Sequence, residues 1–261
     1  MNSDGHVEDV WDRYWKAWPD WSAWDDQSEL IYRVIRQQAP DGSEFDRVLE
    51  VGSGTGRISA ALARDGRRVC LLDTSAHALQ IARNVFHQSR TRGDFVRASG
   101  MHLPFHDGSF DLVWSAGLLE HFPATGQRRL VLEMIRILRE GGMLLVLVPH
   151  RRAVVYDLSR RLAMRMGTWP YGPEEPMTTR DLADLGFQSQ NTRSAGLFYQ
   201  LNFLTLIPLL ARVVPRFTRT TRWFLGNRYF DTSGRFGYLL FGTIRKLTPD
   251  PTRSARSDHL R

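Results

Sequence analysis

The sequence predicts an α/β fold, a parallel β-sheet covered by helices on both faces. Three observations predict it. From Arg47 to Val148, short apolar β-rich runs alternate with helical ones. The first of these runs, Val48-Leu49-Glu50-Val51, enters a glycine-rich turn, Gly52-Ser53-Gly54-Thr55-Gly56, and then a helical stretch. The next strand ends on an acid, Asp73, 21 positions after Gly52. Continuously apolar strands suit a sheet buried on both sides, and parallel pairing requires crossovers such as these helices.

Taken in order, residues 7–38 read as helical, with Trp11, Tyr14, Trp15 and Trp18 on one stripe, a break at Pro19, then Trp21, Trp24 and a second stripe of Leu30, Ile31, Val34 and Ile35. Strands are expected at Arg47–Val51, Arg68–Asp73, Asp94–Arg97, Phe110–Trp114 and Met143–Val148. The helices between them are Arg57–Asp65, Ala76–Gln88 and Gly126–Arg139, the last stopped by Gly141-Gly142. Beyond Pro149 the pattern gives a basic amphipathic helix at Ala153–Met166, a turn at Gly172–Pro176 and a short helix at Thr179–Leu185. Two further strands fit Phe187–Arg193 and Phe236–Lys246. The stretch between them, Gly196 to Gly234, is too long for a hairpin loop and should hold structure of its own.

The 261 residues are 42% hydrophobic and 24% charged, enough for one core. No run of 18 or more uninterrupted apolar residues suggests a membrane span. The polar, acidic start, Met1 to Val10, lacks a signal-peptide core, so a cytoplasmic protein is expected. The single cysteine, Cys70, excludes an internal disulfide or a thiolate metal cluster, and no metal is expected. Residues 1–150 carry 17 basic and 20 acidic side chains, whereas residues 151–261 carry 18 and 8. The basic C-terminal part suits an anionic partner such as phosphate, a lipid headgroup or nucleic acid.

The glycine loop carries the chemistry. Its glycines allow a tight turn and let a ligand approach the backbone beside a helix N-terminus. The spacing is GxGxG, with Arg57 where a dinucleotide fingerprint would place its last glycine. Asp73 can accept both hydroxyls of a ribose. Glu50, just before the glycines, suits a cationic, amino-acid-bearing ligand better than a pyrophosphate.

The motifs Val-Leu-Glu-Val-Gly-Ser-Gly-Thr-Gly (48–56), Leu-Leu-Asp-Thr-Ser (71–75), Leu-Pro-Phe (103–105), Phe-Asp-Leu-Val-Trp-Ser-Ala-Gly-Leu-Leu-Glu-His-Phe (110–122) and Leu-Arg-Glu-Gly-Gly-Met-Leu (138–144) occur in that order. The chain here resembles the class I S-adenosylmethionine-dependent methyltransferases, in particular the type 11 group. The resemblance implies a Rossmann-like seven-stranded methyltransferase sheet, with Phe187–Arg193 and Phe236–Lys246 as its final antiparallel pair. It divides the chain into an N-terminal helical cap (1–44), a cofactor-binding core (45–195), a helical insertion over the acceptor (196–235), the last core strand (236–248) and a disordered tail (249–261). It further implies that Glu50, Gly52, Ser53 and Gly54 hold the methionine end of S-adenosylmethionine, and that Asp73 and Thr74 hold its ribose. Gly100 and Met101 would flank the adenine, and Ser115 and Ala116 would face the cofactor. Ser99 stands where relatives carry an acid for the adenine amino group, so that hydrogen bond would lack charge assistance. Tyr14 or Trp15 of the first helix would close over the cofactor, as an alternative to simple packing on the core.

Methyl transfer from a sulfonium is an in-line displacement, and a hydroxyl acceptor also needs a base. His121, just past the fourth strand, is the candidate; packing or capping of a helix start is the alternative. His77, His87, His102 and His106 lack such placement, and His150 could line the acceptor pocket. No Asn-Pro-Pro-Tyr-like tetrapeptide follows the fourth strand, which argues against methylation of an adenine amino group in nucleic acid, and nucleic acid is not the expected partner. The segment Met166 to Pro176 resembles, more loosely, a stretch in type 11 relatives linked to sugar or cell-envelope polymers. The most apolar stretch, Leu197 to Val214, is interrupted by Asn202, Pro208 and Arg212 and followed by Arg216, Arg219 and Arg222. It is expected to cap the acceptor pocket or to make a peripheral contact with an anionic membrane. Three readings of function remain at this point: O-methylation of a small-molecule, sugar or lipid-linked acceptor; C-methylation of a quinone-like ring; and a cofactor-binding protein that does not methylate, such as a scaffold or regulator.

Overall fold

The structure, a computed structural model, describes residues 11–16, 23–40, 44–232 and 234–247. A short helix, α1, covers residues 11–16, and α2 spans Asp26–Gln38, where the Asp25 carboxylate accepts from the Ser28 amide at 2.7 Å and satisfies one free N–H of the first turn. Then follow β1 (Arg47–Val51), α3 (Arg57–Arg64), β2 (Arg68–Asp73), α4 (Ala76–Ser89), β3 (Asp94–Arg97), β4 (Phe110–Ala116), α5 (Ala124–Arg136), β5 (Leu138–Pro149), α6 (Val154–Met166), α7 (Thr179–Asp184), β6 (Thr192–Ala195), α8 (Val214–Leu225) and β7 (Leu239–Arg245). Short 3-10 segments lie at Leu119–His121, Ser189–Asn191, Tyr199–Leu206 and Gly226–Phe230.

The seven strands form one sheet in the order β3-β2-β1-β4-β5-β7-β6, parallel except for β7, which is antiparallel to both its neighbours. Side chains alternate between two cores. Val48, Leu112, Trp114, Leu145 and Leu147 join α2 on one face, while Leu49, Val113, Leu144 and Val146 join α5 on the other. Because β1 pairs with β2 on one side and β4 on the other, the crossovers diverge from its C-terminal end. That divergence opens a crevice, the usual ligand position in such sheets.

Three expected elements shift. Helix α5 ends at Arg136, and Gly141-Gly142 lie inside β5, not after a helix. The register of β5 on β4 jumps between Phe110 and Leu112, and a Cβ on Gly142 would sit 2.8 Å from the Arg139 carbonyl and 3.0 Å from that of Asp111. These glycines therefore allow a bulge against the neighbouring strand. β6 is Thr192–Ala195 rather than Phe187–Arg193, since Phe187 is turned into the core beside Gly242 and a 3-10 turn intervenes. β7 begins at Leu239, with Phe236 exposed outside it. Trp18, Pro19, Trp21 and the expected disordered tail (249–261) lie outside the described residues.

Candidate functional site

The C-terminal end of β1 leads into the glycine turn, where Gly52, Gly54 and Gly56 take φ values of +72°, +50° and +64°. Only glycine adopts these without strain. The Gly52 and Ser53 amides donate to the Leu72 carbonyl at 2.8 and 3.1 Å, tying the turn to β2. Asp73 then braces it from the side: one carboxylate oxygen accepts from the Gly54 amide and the other from the Ser75 amide, each at 2.9 Å. Burial pushes the Asp73 carboxyl above the usual carboxylate range, opposed by these N–H donors.

Helix α1 lies across this turn. Asp12 accepts from the Ser75 hydroxyl, and a Cβ on Gly54 would come within 2.7 Å of the Trp15 ring. Beneath it the crevice divides into two chambers that share Trp11, Trp15, Gly52 and Gly117. The first is lined by Asp73 and Thr74 at the end of β2, by Ser99, Gly100 and Met101 after β3, and by the apolar side chains of Leu118, Phe122 and Leu130. The second takes in Tyr14, Glu50, Ser53, Gly54, Ala116 and His121. Glu50 is buried and accepts from the Ser59 hydroxyl at 2.6 Å, and burial holds its carboxyl well above the ordinary range. The Ser53 hydroxyl is buried in this chamber without a hydrogen-bond partner among the described residues.

Of the site residues expected from sequence, Ser115 is corrected. It is 1% exposed and lines neither chamber, because consecutive residues of a strand face opposite sides and Ala116 holds the chamber side. His150 is likewise buried away from both chambers, its Nδ1 3.2 Å from the Gly237 carbonyl oxygen. His121 does reach the second chamber, at the end of the 3-10 turn Leu119–His121. Its Nδ1 sits 2.8 Å from the Pro173 carbonyl oxygen, and its ring packs edge-on against Trp11 at a centroid distance of 4.8 Å. Burial lowers its pKa below the ordinary imidazole value, so the ring is neutral at neutral pH. With Nδ1 donating to Pro173, Nε2 carries the lone pair.

Sequence reasoning missed Glu120 and Glu174, which line the second chamber with Trp169, Tyr171, Phe203 and Tyr238. An acid inside the apolar run Gly117–Phe122, and an acid closing the aromatic turn 169–174, were the available signals. Of the insertion (196–235), Phe203 lines the chamber while α8 lies elsewhere, its Arg222 bound to Asp26 of α2.

A family model described as a methyltransferase domain matches residues 48–142, the stretch that builds both chambers' sheet edge. These residues form a methyltransferase domain. Around it, the chain is 37% identical over 134 residues to Methyltransferase GfsG of Streptomyces halstedii, covering 49% of this chain and 48% of that protein. It is 32% identical over 119 residues to a demethylmenaquinone methyltransferase of Clavibacter sepedonicus, covering 46% and 47%. The chain thus spans about half the length of the curated relatives it matches. A solved structure concerning conversion of a disulfide bond into a thioacetal group during echinomycin biosynthesis shares the fold over 98% of each chain, at 19% identity and a TM-score of 0.63. Among the described residues of this methyltransferase domain and its additions, no helix is long and apolar enough to cross a membrane.

Proposed function

We propose that the chain transfers a methyl group from S-adenosylmethionine to a hydroxyl of a small acceptor. The observation that carries this reading is the pair of chambers joined at Gly52 and Gly117, one bearing Asp73 and the other His121. The donor set fits the cofactor. Asp73 and Thr74 would hold the ribose, Ser99, Gly100 and Met101 the adenine, and Glu50 with Gly54 the amino-acid end. The unpartnered Ser53 hydroxyl is a further donor for the carboxylate of that end. The bound cofactor supplies an electrophilic methyl carbon. This chain's residues supply alignment under Trp11 and Trp15, exclusion of water, and the Nε2 lone pair of His121 to take the hydroxyl proton.

Calorimetry with S-adenosylmethionine, S-adenosylhomocysteine and NAD checks the first half of the reading. Both sulfur nucleosides should bind and NAD should not; the reverse overturns it. Incubation with methyl-labelled cofactor and cell extract checks the second half. Label is expected in a small extractable product; label in protein or RNA overturns the acceptor class, and no transfer at all favours a non-methylating binding protein.

We propose also that α8 and the turn that precedes it (209–224) attach the protein to anionic membrane. Leu209, Val213, Phe217, Trp223 and Phe224 are exposed large apolar side chains, and Arg212, Arg216 and Arg219 are exposed among them. Apolar groups can enter the lipid interface while each neighbouring arginine adds about 1 kcal/mol on an anionic surface. Sedimentation with anionic vesicles should carry the protein down, and neutral vesicles should do so far less. Changing Arg212, Arg216 and Arg219 together to Gln should release it. Equal behaviour of the variant, or absence of binding, overturns the proposal.

A further inference from the structure

We propose that the second chamber seats a protonated amine of the acceptor between Glu120 and Glu174, against a wall of aromatic rings. The inference rests on the reading of this chamber as the acceptor site, and it narrows the acceptor to a class: a hydroxyl compound with a neighbouring amino group, as in an amino sugar.

Glu120 is the decisive residue. It is 3% exposed, it lines the chamber, and one of its carboxylate oxygens has no hydrogen-bond partner among the described residues. A buried carboxylate oxygen without a donor is costly, so it marks a place where a donor is supplied from outside. Glu174 comes to it from a distant loop, held by the Glu175 amide, which donates to the Glu120 carbonyl at 3.0 Å, and by the Tyr156 hydroxyl, which donates to the Glu174 carboxylate. Ligating atoms of Glu120, His121 and Glu174 all lie within 4.8 Å of one another. No cationic side chain among the described residues is hydrogen-bonded or ion-paired to either carboxylate. Arg57, which lines the same chamber, reaches instead to Asp25 at 3.2 Å and to the Thr55 hydroxyl at 3.1 Å. Arg160 bonds Asp157 and the Glu174 main-chain carbonyl, and its charge only partly offsets the burial of the Glu174 carboxylate. Burial and mutual repulsion accordingly push Glu120 well above the usual carboxylate range, and burial raises Glu174 to about 7. A cation placed between them would remove that penalty.

Two kinds of cation share this chemistry, an organic ammonium and a divalent metal ion. The surroundings favour the ammonium. Trp169 and Tyr171 lie 5.2 Å apart by ring centroid, and Phe203 and Tyr238 4.6 Å apart, all four facing the chamber. Ring faces attract ammonium groups and pack against the carbons that bear them, but they offer no ligand to a metal ion. His121 stands beside the pair, so a hydroxyl borne close to the amine would lie near its imidazole.

The test uses glucosamine, glucose and glucuronate, which share a ring and differ in carrying an ammonium, a neutral or an anionic group. Affinity is measured by ligand-observed NMR on the full chain saturated with S-adenosylhomocysteine. Glucosamine should bind at least tenfold more tightly than glucose, with glucuronate weakest, and the preference should vanish in Glu174→Gln and in Glu120→Gln. Unchanged binding of S-adenosylhomocysteine by these variants shows that they fold, and it separates this inference from the cofactor reading. Equal binding of the three sugars, binding of none, or a preference that survives both substitutions overturns the proposal. In a parallel arm, Mn2+ is titrated and the free ion followed by its EPR signal. Tight Mn2+ binding that is lost in Glu174→Gln also overturns it and assigns the pair to a metal ion.

Discussion

Replacing His121 with Ala is expected to lower kcat/KM for methyl transfer by about 10²–10⁴-fold, the usual contribution of a positioned general base. Affinity for S-adenosylhomocysteine should stay unchanged, because His121 is not among the residues that would hold it: Asp73, Thr74, Ser99, Gly100 and Met101 in the first chamber and Glu50, Ser53 and Gly54 in the second. The base must be neutral to accept a proton, and burial disfavours its charged form. The sign of the pH dependence follows: with the pKa lowered, the active form persists to more acidic pH than an exposed histidine would allow. Imidazole proton resonances followed across pH, assigned to His121 by their loss in the variant, should report a value below 6.5 in the free protein. A rate change of less than about threefold in His121→Ala would show that the ring only packs against Trp11 and Pro173, since a lost general base costs far more.

Asp73→Ala should weaken binding of S-adenosylmethionine and S-adenosylhomocysteine by about 1–3 kcal/mol through lost hydrogen bonds; that is roughly 5–150-fold in Kd by calorimetry. The same change should lower the melting temperature of the ligand-free protein. The carboxylate accepts from the amides of Gly54 and Ser75, and removing it leaves both donors unpaired in a buried setting. The two effects are separable: Asp73→Asn keeps an acceptor oxygen for one of those amides, so it should recover part of the stability while still losing affinity. Cofactor affinity that is unchanged in Asp73→Ala would remove the ribose role.

How far the site was legible depended on how local its parts are. The strand, turn and acid that build the first chamber lie between Val48 and Thr74, and their roles follow from spacing within one β-α-β unit. Of the expected pair Ser115 and Ala116 only Ala116 lines the crevice, since neighbours on a strand face opposite sides and only the folded chain settles which one faces it. Gly141-Gly142 carries the same local signal whether it ends a helix or forms a bulge, and only the Asp111 carbonyl beside it distinguishes the two.

The sequence by itself determined the sheet's core strands, the glycine turn with Asp73 behind it, and the placement of His121 after β4, while the seating of Trp15 over that turn came only with the structure. These depend on hydrophobic periodicity and on backbone conformations that only glycine adopts, both of which are written over a few consecutive residues. The tertiary structure alone decided which distant side chains share the second chamber. Glu120, Glu174, Phe203 and Tyr238 come from four separate segments and meet because β5, the 173–176 loop and β7 return to the same sheet edge. Their charge balance also arises only there: an acid has an ordinary pKa until burial and a second carboxylate raise it, and no feature of either segment's sequence records the other.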